Sequence, residues 1–255
     1  MWRQAQAARC RHFLRRQING TISIMAFSGA FVKPFRPAFD AGLAAAAVPW
    51  YLAGGAPAPY AVWLPIGAAS LAASYLRIAG SGGYANIDPA VVGVGVAPTF
   101  SGAAGWTLNG STQYLSTGIL PVNNQTWSIL ARVSGAGNSP YGYVLNTATS
   151  DSSLYLYPAY SDNKAYYSSG SYIGVSPNIT SGTMAVAANT AYRNGVSDGT
   201  IASGGAAFTT TLLIGKVSNS PSGFFKGNIQ AIAIWDTSTG HATWMPQVMA
   251  ACALI

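Results

Sequence analysis

From residue 67 onward the apolar residues fall into short runs broken by Gly, Asn, Ser and Pro. The runs recur about every ten residues, the spacing of strands joined by tight turns. Gln125–Val133 alternates, with Trp127, Ile129, Ala131 and Val133 on one face and Thr126, Ser128, Leu130 and Arg132 on the other. Side chains of a strand point to opposite faces at every second residue, so this is a strand pattern. Ser153–Tyr157 sets Leu154 and Leu156 against Tyr155 and Tyr157, and Tyr141–Leu145 is a short strand before it. Thr183–Ala188 is short and apolar, as a buried strand is. Gly105–Leu115 predicts two short strands around an Asn109-Gly110 turn. Asn194-Gly195 predicts a type I′ hairpin, because both central residues of that turn need positive φ. Phe208–Gly215 and Gly227–Trp235 predict the final strands. In the last, Ile229, Ala231, Ala233 and Trp235 share one face and Gln230, Ile232 and Ile234 the other, so it is buried on both sides. Thr243–Leu254 is the one helix expected. Many short strands without an intervening helical pattern predict an all-β antiparallel two-sheet sandwich rather than a βαβ fold.

The chain before residue 67 follows another pattern. No charged residue occurs from Ala41 to Leu76. Pro49, Pro57, Pro59 and Pro65, with Gly54-Gly55 between them, deny this stretch a continuous spanning helix. Residues 25–66 carry Phe27, Phe31, Phe35, Phe39, Trp50, Tyr51, Tyr60 and Trp63 on a segment that its prolines keep from a long strand or helix. They are expected to form an irregular attachment arm outside the sandwich, leaving residues 67–255 as the sandwich itself. Residues 1–24 hold Arg3, Arg9, Arg11, Arg15 and Arg16 and no acid. Three readings stay open for them: a short amphipathic helix touching membrane or nucleic acid, the basic region of a signal peptide, or a disordered or mis-started extension.

Composition sharpens the class. The 255 residues are 50% hydrophobic and 7% charged. The net charge of +7 is misleading, because five of the thirteen basic residues lie in the first 24 positions and the rest of the chain is nearly neutral. That main body offers no basic face for nucleic acid. Cys10 and Cys252 lie near opposite ends, which excludes a disulfide scaffold and a Cys/His zinc cluster. An uncharged surface rich in Gly, Ser, Thr, Asn and Tyr suits a protein displayed outside cells or on virions.

Residues 105–250 resemble the laminin G-like branch of the concanavalin A-like lectin/glucanase jelly rolls. The likeness rests on four pieces in order: Trp106–Leu115, Thr126–Ile129, Ala191–Gly195, and Leu213-Ile214-Gly215 followed by Phe225–Trp235. The Ala-Ser-Leu-Ala-Ala-Ser run ending at Ser74 also resembles structural proteins of tailed phages. The resemblance implies a jelly roll, and in this family often a calcium ion. Thr112-Gln113 stands where the family often carries Asp, though Asp88 and Asp236 could still supply oxygens. No cofactor is otherwise expected.

Candidate chemistry is mostly missing. Glycosidases of this superfamily use two carboxylates flanking the bond. This chain has no Glu, and its six Asp are never closer than Asp151 and Asp162. A Ser-His-Asp triad would need His12 or His241, and neither lies in a suitable context. The expectation is therefore a non-catalytic protein. What remains is tyrosine: Tyr141, Tyr143, Tyr155, Tyr157, Tyr160, Tyr166, Tyr167 and Tyr172 crowd into one stretch. With Leu154 and Leu156 inward, Tyr155 and Tyr157 should face solvent. The polar turn Ser161–Lys164 should bring Tyr166, Tyr167 or Tyr172 beside them. Tyr155, Tyr157, Tyr166, Tyr167, Asp162 and Asn163 are the candidate ligand-binding residues. Such a face suits a sugar ring, a protein partner or plain sheet scaffolding. The function expected is a surface-displayed structural or recognition protein, such as a capsid decoration, tail or fibre subunit with glycan binding. Residues 25–66 would then join it to other subunits. The alternative is a secreted or cell-surface bacterial carbohydrate-binding or adhesion module.

Overall fold

The computed structural model describes residues 47–80, 97–121, 126–137, 142–147, 153–202, 208, 210–217 and 223–255. After a kinked 3₁₀ segment at Trp50–Gly55 come β1 (Ala61–Trp63) and a one-turn helix α1 (Leu71–Ser74). The chain continues through β2 (Thr99–Ser101), β3 (Gly105–Asn109), β4 (Leu115–Ser116) and β5 (Ser128–Ser134). Next are β6 (Leu145–Asn146), β7 (Leu154–Tyr157), β8 (Ala165–Ser169) and β9 (Tyr172–Val175). Then follow β10 (Gly182–Ala187), β11 (Thr190–Arg193), β12 (Val196–Thr200), β13 (Leu213–Ile214), β14 (Lys226–Trp235) and a terminal helix α2 (His241–Ala253).

These strands make two antiparallel sheets, the all-β sandwich that the strand pattern predicts. One has eight strands, ordered β12-β11-β10-β5-β14-β3-β2 with β1 also on β14, and the other has six, ordered β4-β13-β6-β7-β8-β9. The Asn194-Gly195 turn joins β11 to β12 with φ of 49° and 83° at its two central residues, as a type I′ turn requires. The Asn109-Gly110 turn departs from expectation. β3 and β4 do not pair with each other; β3 lies in the large sheet and β4 in the small one. The turn is a crossing between sheets, and Asn109 Oδ1 fixes it by accepting from the amides of Ser111, Thr112 and Gln113.

The core between the sheets holds Trp106, Leu108, Ile129, Leu156, Met184 and Ile214, among others. Strand β14 enters it through an irregularity. Its register against β5 shifts between Ile229 and Ala231, so Gln230 is an extra residue. Such a bulge re-aims the side chains that precede it. Ile229 therefore joins Ile232 and Ile234 on the inner face, not Ala231, Ala233 and Trp235 as strict alternation predicts. The strand is buried on both sides, as expected. Gly105, at φ 78°, makes the bulge possible: a Cβ there would stand 2.4 Å from the Ile229 carbonyl oxygen.

The outer face of the large sheet is covered by α2. Small residues Ala185, Ala187, Ala231 and Ala233 line the sheet, and Trp244, Met245, Val248, Met249 and Cys252 come down from the helix. That helical spacing is one apolar stripe. Each large side chain buried there is worth about 1.5–3 kcal/mol of transfer free energy. Arg132, on the same sheet face, donates to the Cys252 carbonyl at 3.0 Å, where a cation opposes the negative end of the helix dipole.

Here the expected attachment arm is corrected. Residues 47–66, the described part of the 25–66 segment, belong to the compact unit Ala47–Ile255. β1 pairs antiparallel with the second half of β14, Val62 opposite Ala233, while β3 pairs with its first half. Trp63 is fully buried in the inner core, and Trp50 packs in the layer under α2. The Trp235 indole donates to the Pro57 carbonyl at 3.1 Å. The prolines deny a long strand but leave three residues free to pair. Trp50 and Trp63, which the arm reading gives to a partner chain, are covered by this chain itself. Residues 25–46 and 1–24 lie outside the described residues.

Candidate functional site

The outer face of the small sheet carries the tyrosines. In β7, Leu154 and Leu156 enter the core, so Tyr155 and Tyr157 turn outward. The β7–β8 hairpin sets Tyr157 directly opposite Tyr166 and Tyr155 opposite Ser168. Strand β9 then places Tyr172 opposite Ser168 and Gly174 opposite Tyr166. Gly174 leaves room for the ring: a Cβ there would meet Cε1 of Tyr166 at 2.6 Å, so the tyrosine ring lies over bare backbone.

The rings form a continuous layer. Tyr143 touches Tyr155 and Tyr157, with centroids 5.1 and 4.6 Å apart. Tyr157 meets Tyr160 at 5.5 Å and Tyr166 at 6.2 Å. Tyr160 meets Tyr166 at 5.5 Å, and Tyr166 meets Tyr172 at 6.2 Å. Edge and tilted contacts dominate, the geometry that the ring quadrupole favours. Tyr172 is 65% exposed on the edge strand, whereas Tyr157, ringed by its neighbours, is 3% exposed.

The Ser161–Lys164 turn rims this layer. Asp162 Oδ1 accepts from the Lys164 amide at 3.1 Å and Oδ2 from the Tyr166 hydroxyl at 2.6 Å. The Lys164 ammonium lies 3.7 Å from the same carboxylate. Asn163 is exposed at the tip, with φ 63°. The hydrogen bond to Asp162 pushes the Tyr166 phenol up from 10.0 to about 12. Burial, then the neighbouring Tyr143, raises Tyr155 well above its ordinary value. Burial likewise raises Tyr157. These three phenols therefore stay uncharged at neutral pH, beside the Asp162–Lys164 pair at the rim.

The structure brings Tyr155, Tyr157, Tyr166, Asp162 and Asn163 together, with two departures from the sequence reading. Tyr157 faces outward but is covered by other tyrosines. Tyr167 points the opposite way, since neighbours in a strand alternate. It is buried in the inter-sheet core, where its hydroxyl donates to Asp198 Oδ2 at 2.7 Å. Arg193 Nε donates to the same oxygen at 2.8 Å and Arg193 Nη1 to the Pro177 carbonyl at 2.6 Å. That network ties β8 to the β11–β12 hairpin and is structural. Tyr141 and Asp151 lie outside the described residues.

Asn146 was not singled out from sequence. It lies opposite Tyr155 on the neighbouring strand, hence on the tyrosine face. It is 1% exposed, and neither its amide nitrogen nor its amide oxygen has a partner. No periodicity marks it, because one Asn among Ser and Thr residues reads as turn chemistry.

The resemblance implies calcium near the Thr112-Gln113 loop, which carries no acidic side chain, whereas Ca²⁺ takes six to eight oxygens. The amides of Ser111, Thr112 and Gln113 donate to Asn109 Oδ1. Asp236 is exposed, Asp88 lies outside the described residues, and no group of three metal-ligating side chains occurs among the described residues.

No protein-family model matches the chain, and no curated protein matches it. Solved structures do. The chain is similar to a native heptameric SAP-like pentraxin from Limulus polyphemus, at 17% identity and TM-score 0.43, over 57% of this chain and 81% of that one. It is similar to domain 4 of AbnA, a GH43 extracellular arabinanase from Geobacillus stearothermophilus solved with arabinotriose, at 16% identity and TM-score 0.48, over 77% and 98%. It is also similar to a Trypanosoma rangeli sialidase, at 11% identity and TM-score 0.49, over 74% of this chain and 32% of that one.

Proposed function

We propose that this protein is a non-catalytic recognition module that binds glycans on the tyrosine face of its small sheet. One observation carries the reading: six tyrosine rings in unbroken contact on an outer sheet face, open at the Tyr166–Tyr172 end and rimmed by Asp162 and Asn163. An aromatic face stacks on the apolar side of a sugar ring, and phenols and a turn carboxylate hydrogen-bond its hydroxyls. The absence of Glu from the sequence supports binding without hydrolysis. The low charge content supports display outside the cell, either on a virion as a decoration, tail or fibre subunit or as a secreted adhesion module. Attachment to other subunits then falls to residues 25–46, because residues 47–66 are part of the sandwich.

The test is a printed glycan array probed with the full chain and with a Tyr166→Ala/Tyr172→Ala variant. Wild type should bind a defined set of saccharides. The variant should lose them while keeping a stability change within about 1 kcal/mol, since both positions are at least partly exposed. An array on which wild type binds nothing, or on which the variant binds equally, refutes the reading.

A further inference from the structure

Asn146 is at odds with the polar groups around it. Thr147 Oγ1 accepts from the Leu154 amide at 3.0 Å, and the Thr147 carbonyl accepts from Thr210 Oγ1 at 2.9 Å. Ser168 Oγ donates to the Ser153 carbonyl at 2.6 Å. Asn146 alone, among the described residues, leaves both a side-chain nitrogen and a side-chain oxygen buried without a partner. A buried polar group left unmet destabilises the fold, so most buried polar groups have a partner. Leucine has nearly the same shape and would carry no such cost.

Its place in the sheet says what it serves. Across the strands the outer row runs Leu213, Asn146, Tyr155, Ser168, Tyr172 by register. The amide therefore sits one strand from the ring layer, at the end opposite Tyr172. A primary amide offers a donor and an acceptor side by side. Two adjacent hydroxyls of a sugar, each able to donate and accept, complement that pair. The charge on the face selects further. The phenols of Tyr155, Tyr157 and Tyr166 are held in their neutral form, and Asp162 and Lys164 pair at the rim, 3.7 Å apart. Among the described residues the rim therefore carries no net charge to draw a carboxylate on the ligand.

Resting on the glycan reading above, we infer that Asn146 is the polar anchor of the tyrosine face and that the ligand is a neutral sugar presenting vicinal hydroxyls, not a sialic or uronic acid. Because the amide is closed to solvent, its contact with a ligand includes a local side-chain rearrangement beside Tyr155.

The experiment compares the full chain with Asn146→Leu and Asn146→Ala. The probes are printed neutral oligosaccharides and their sialylated or uronic-acid counterparts, and thermal melting is followed in parallel. Wild type should prefer the neutral saccharides. Asn146→Leu should melt higher, because an unmet amide is gone, yet bind about tenfold or more weakly, the factor that about 1.4 kcal/mol of lost hydrogen bonding produces. If the leucine does not fold, Asn146→Ala must show the same loss of binding. Neutral glycans bound equally by wild type and variants remove Asn146 from the site and leave the glycan reading standing. Preference for the acidic counterparts overturns the neutral-sugar assignment. A melting temperature that falls on Asn146→Leu, with binding intact, makes the amide structural. Wild type binding no saccharide overturns the glycan reading and this inference with it.

Discussion

The sandwich has two outer faces built from the same strand alternation, and they end up as opposites. On the large sheet the outward positions include four alanines, at 185, 187, 231 and 233, and a helix packs on that face. On the small sheet they are tyrosine, at 155, 157, 166 and 172, and the rings cover one another. Small side chains let a helix backbone approach and fill the gap with Trp244, Met245 and Val248. Large amphipathic ones tile the sheet themselves, keeping the apolar body inward and the hydroxyl outward. The size of the outward residue thus decides whether a face is closed by a helix or tiled by its own side chains.

The comparison can be broken most severely at the closed face. Removing residues 1–66 should unfold the rest, because β1, Trp63 and the Trp50 contact under α2 go with them. Circular dichroism of residues 67–255 should show no cooperative melt. A folded, cooperative 67–255 fragment would restore the attachment arm. Next in size, Trp244→Ala should cost about 3–5 kcal/mol, the usual loss for a buried aromatic truncated to alanine. Denaturant midpoints measure it, and a loss below about 1 kcal/mol would mean that the helix is not what closes this face.

On the tyrosine face Tyr157→Ala should cost about 3 kcal/mol, at the low end of that range, because Tyr157 is buried by rings rather than by backbone. The smallest effect is alkaline. Tyr166 titrates at about 12 in the folded chain against an ordinary 10.0. Its neutral form is favoured by folding, so that contribution is fully present below pH 10 and is lost as pH rises through 12. Absorbance of phenolate should appear late, and melting temperature should fall between pH 10 and 12. In Tyr166→Phe that part of the fall should be absent.

Much of this was legible in the residues. Alternation in Gln125–Val133 and Ser153–Tyr157 placed Ile129, Val133, Leu154 and Leu156 in the core, and Asn194-Gly195 placed a hairpin, because these depend only on local backbone geometry. The polar turn at Asp162 and Asn163 joined two tyrosine runs for the same reason. Tyr167 was legible too, since a residue beside Tyr166 must face the other way.

The remainder depended on partners far along the chain. That Pro57 to Trp63 completes a sheet follows from the free edge of β14, which lies well over a hundred residues later and cannot be seen in a proline-rich segment. The bulge at Gln230, which sends Ile229 inward, exists because Gly105 lets two backbones approach. Asn146 was invisible because being buried without a partner is a property of surroundings, not of a residue. The sequence by itself determined which side chains could face inward and where the chain could turn. Only the tertiary structure decided what each face would meet, because pairing across a sheet joins positions that local propensity does not connect.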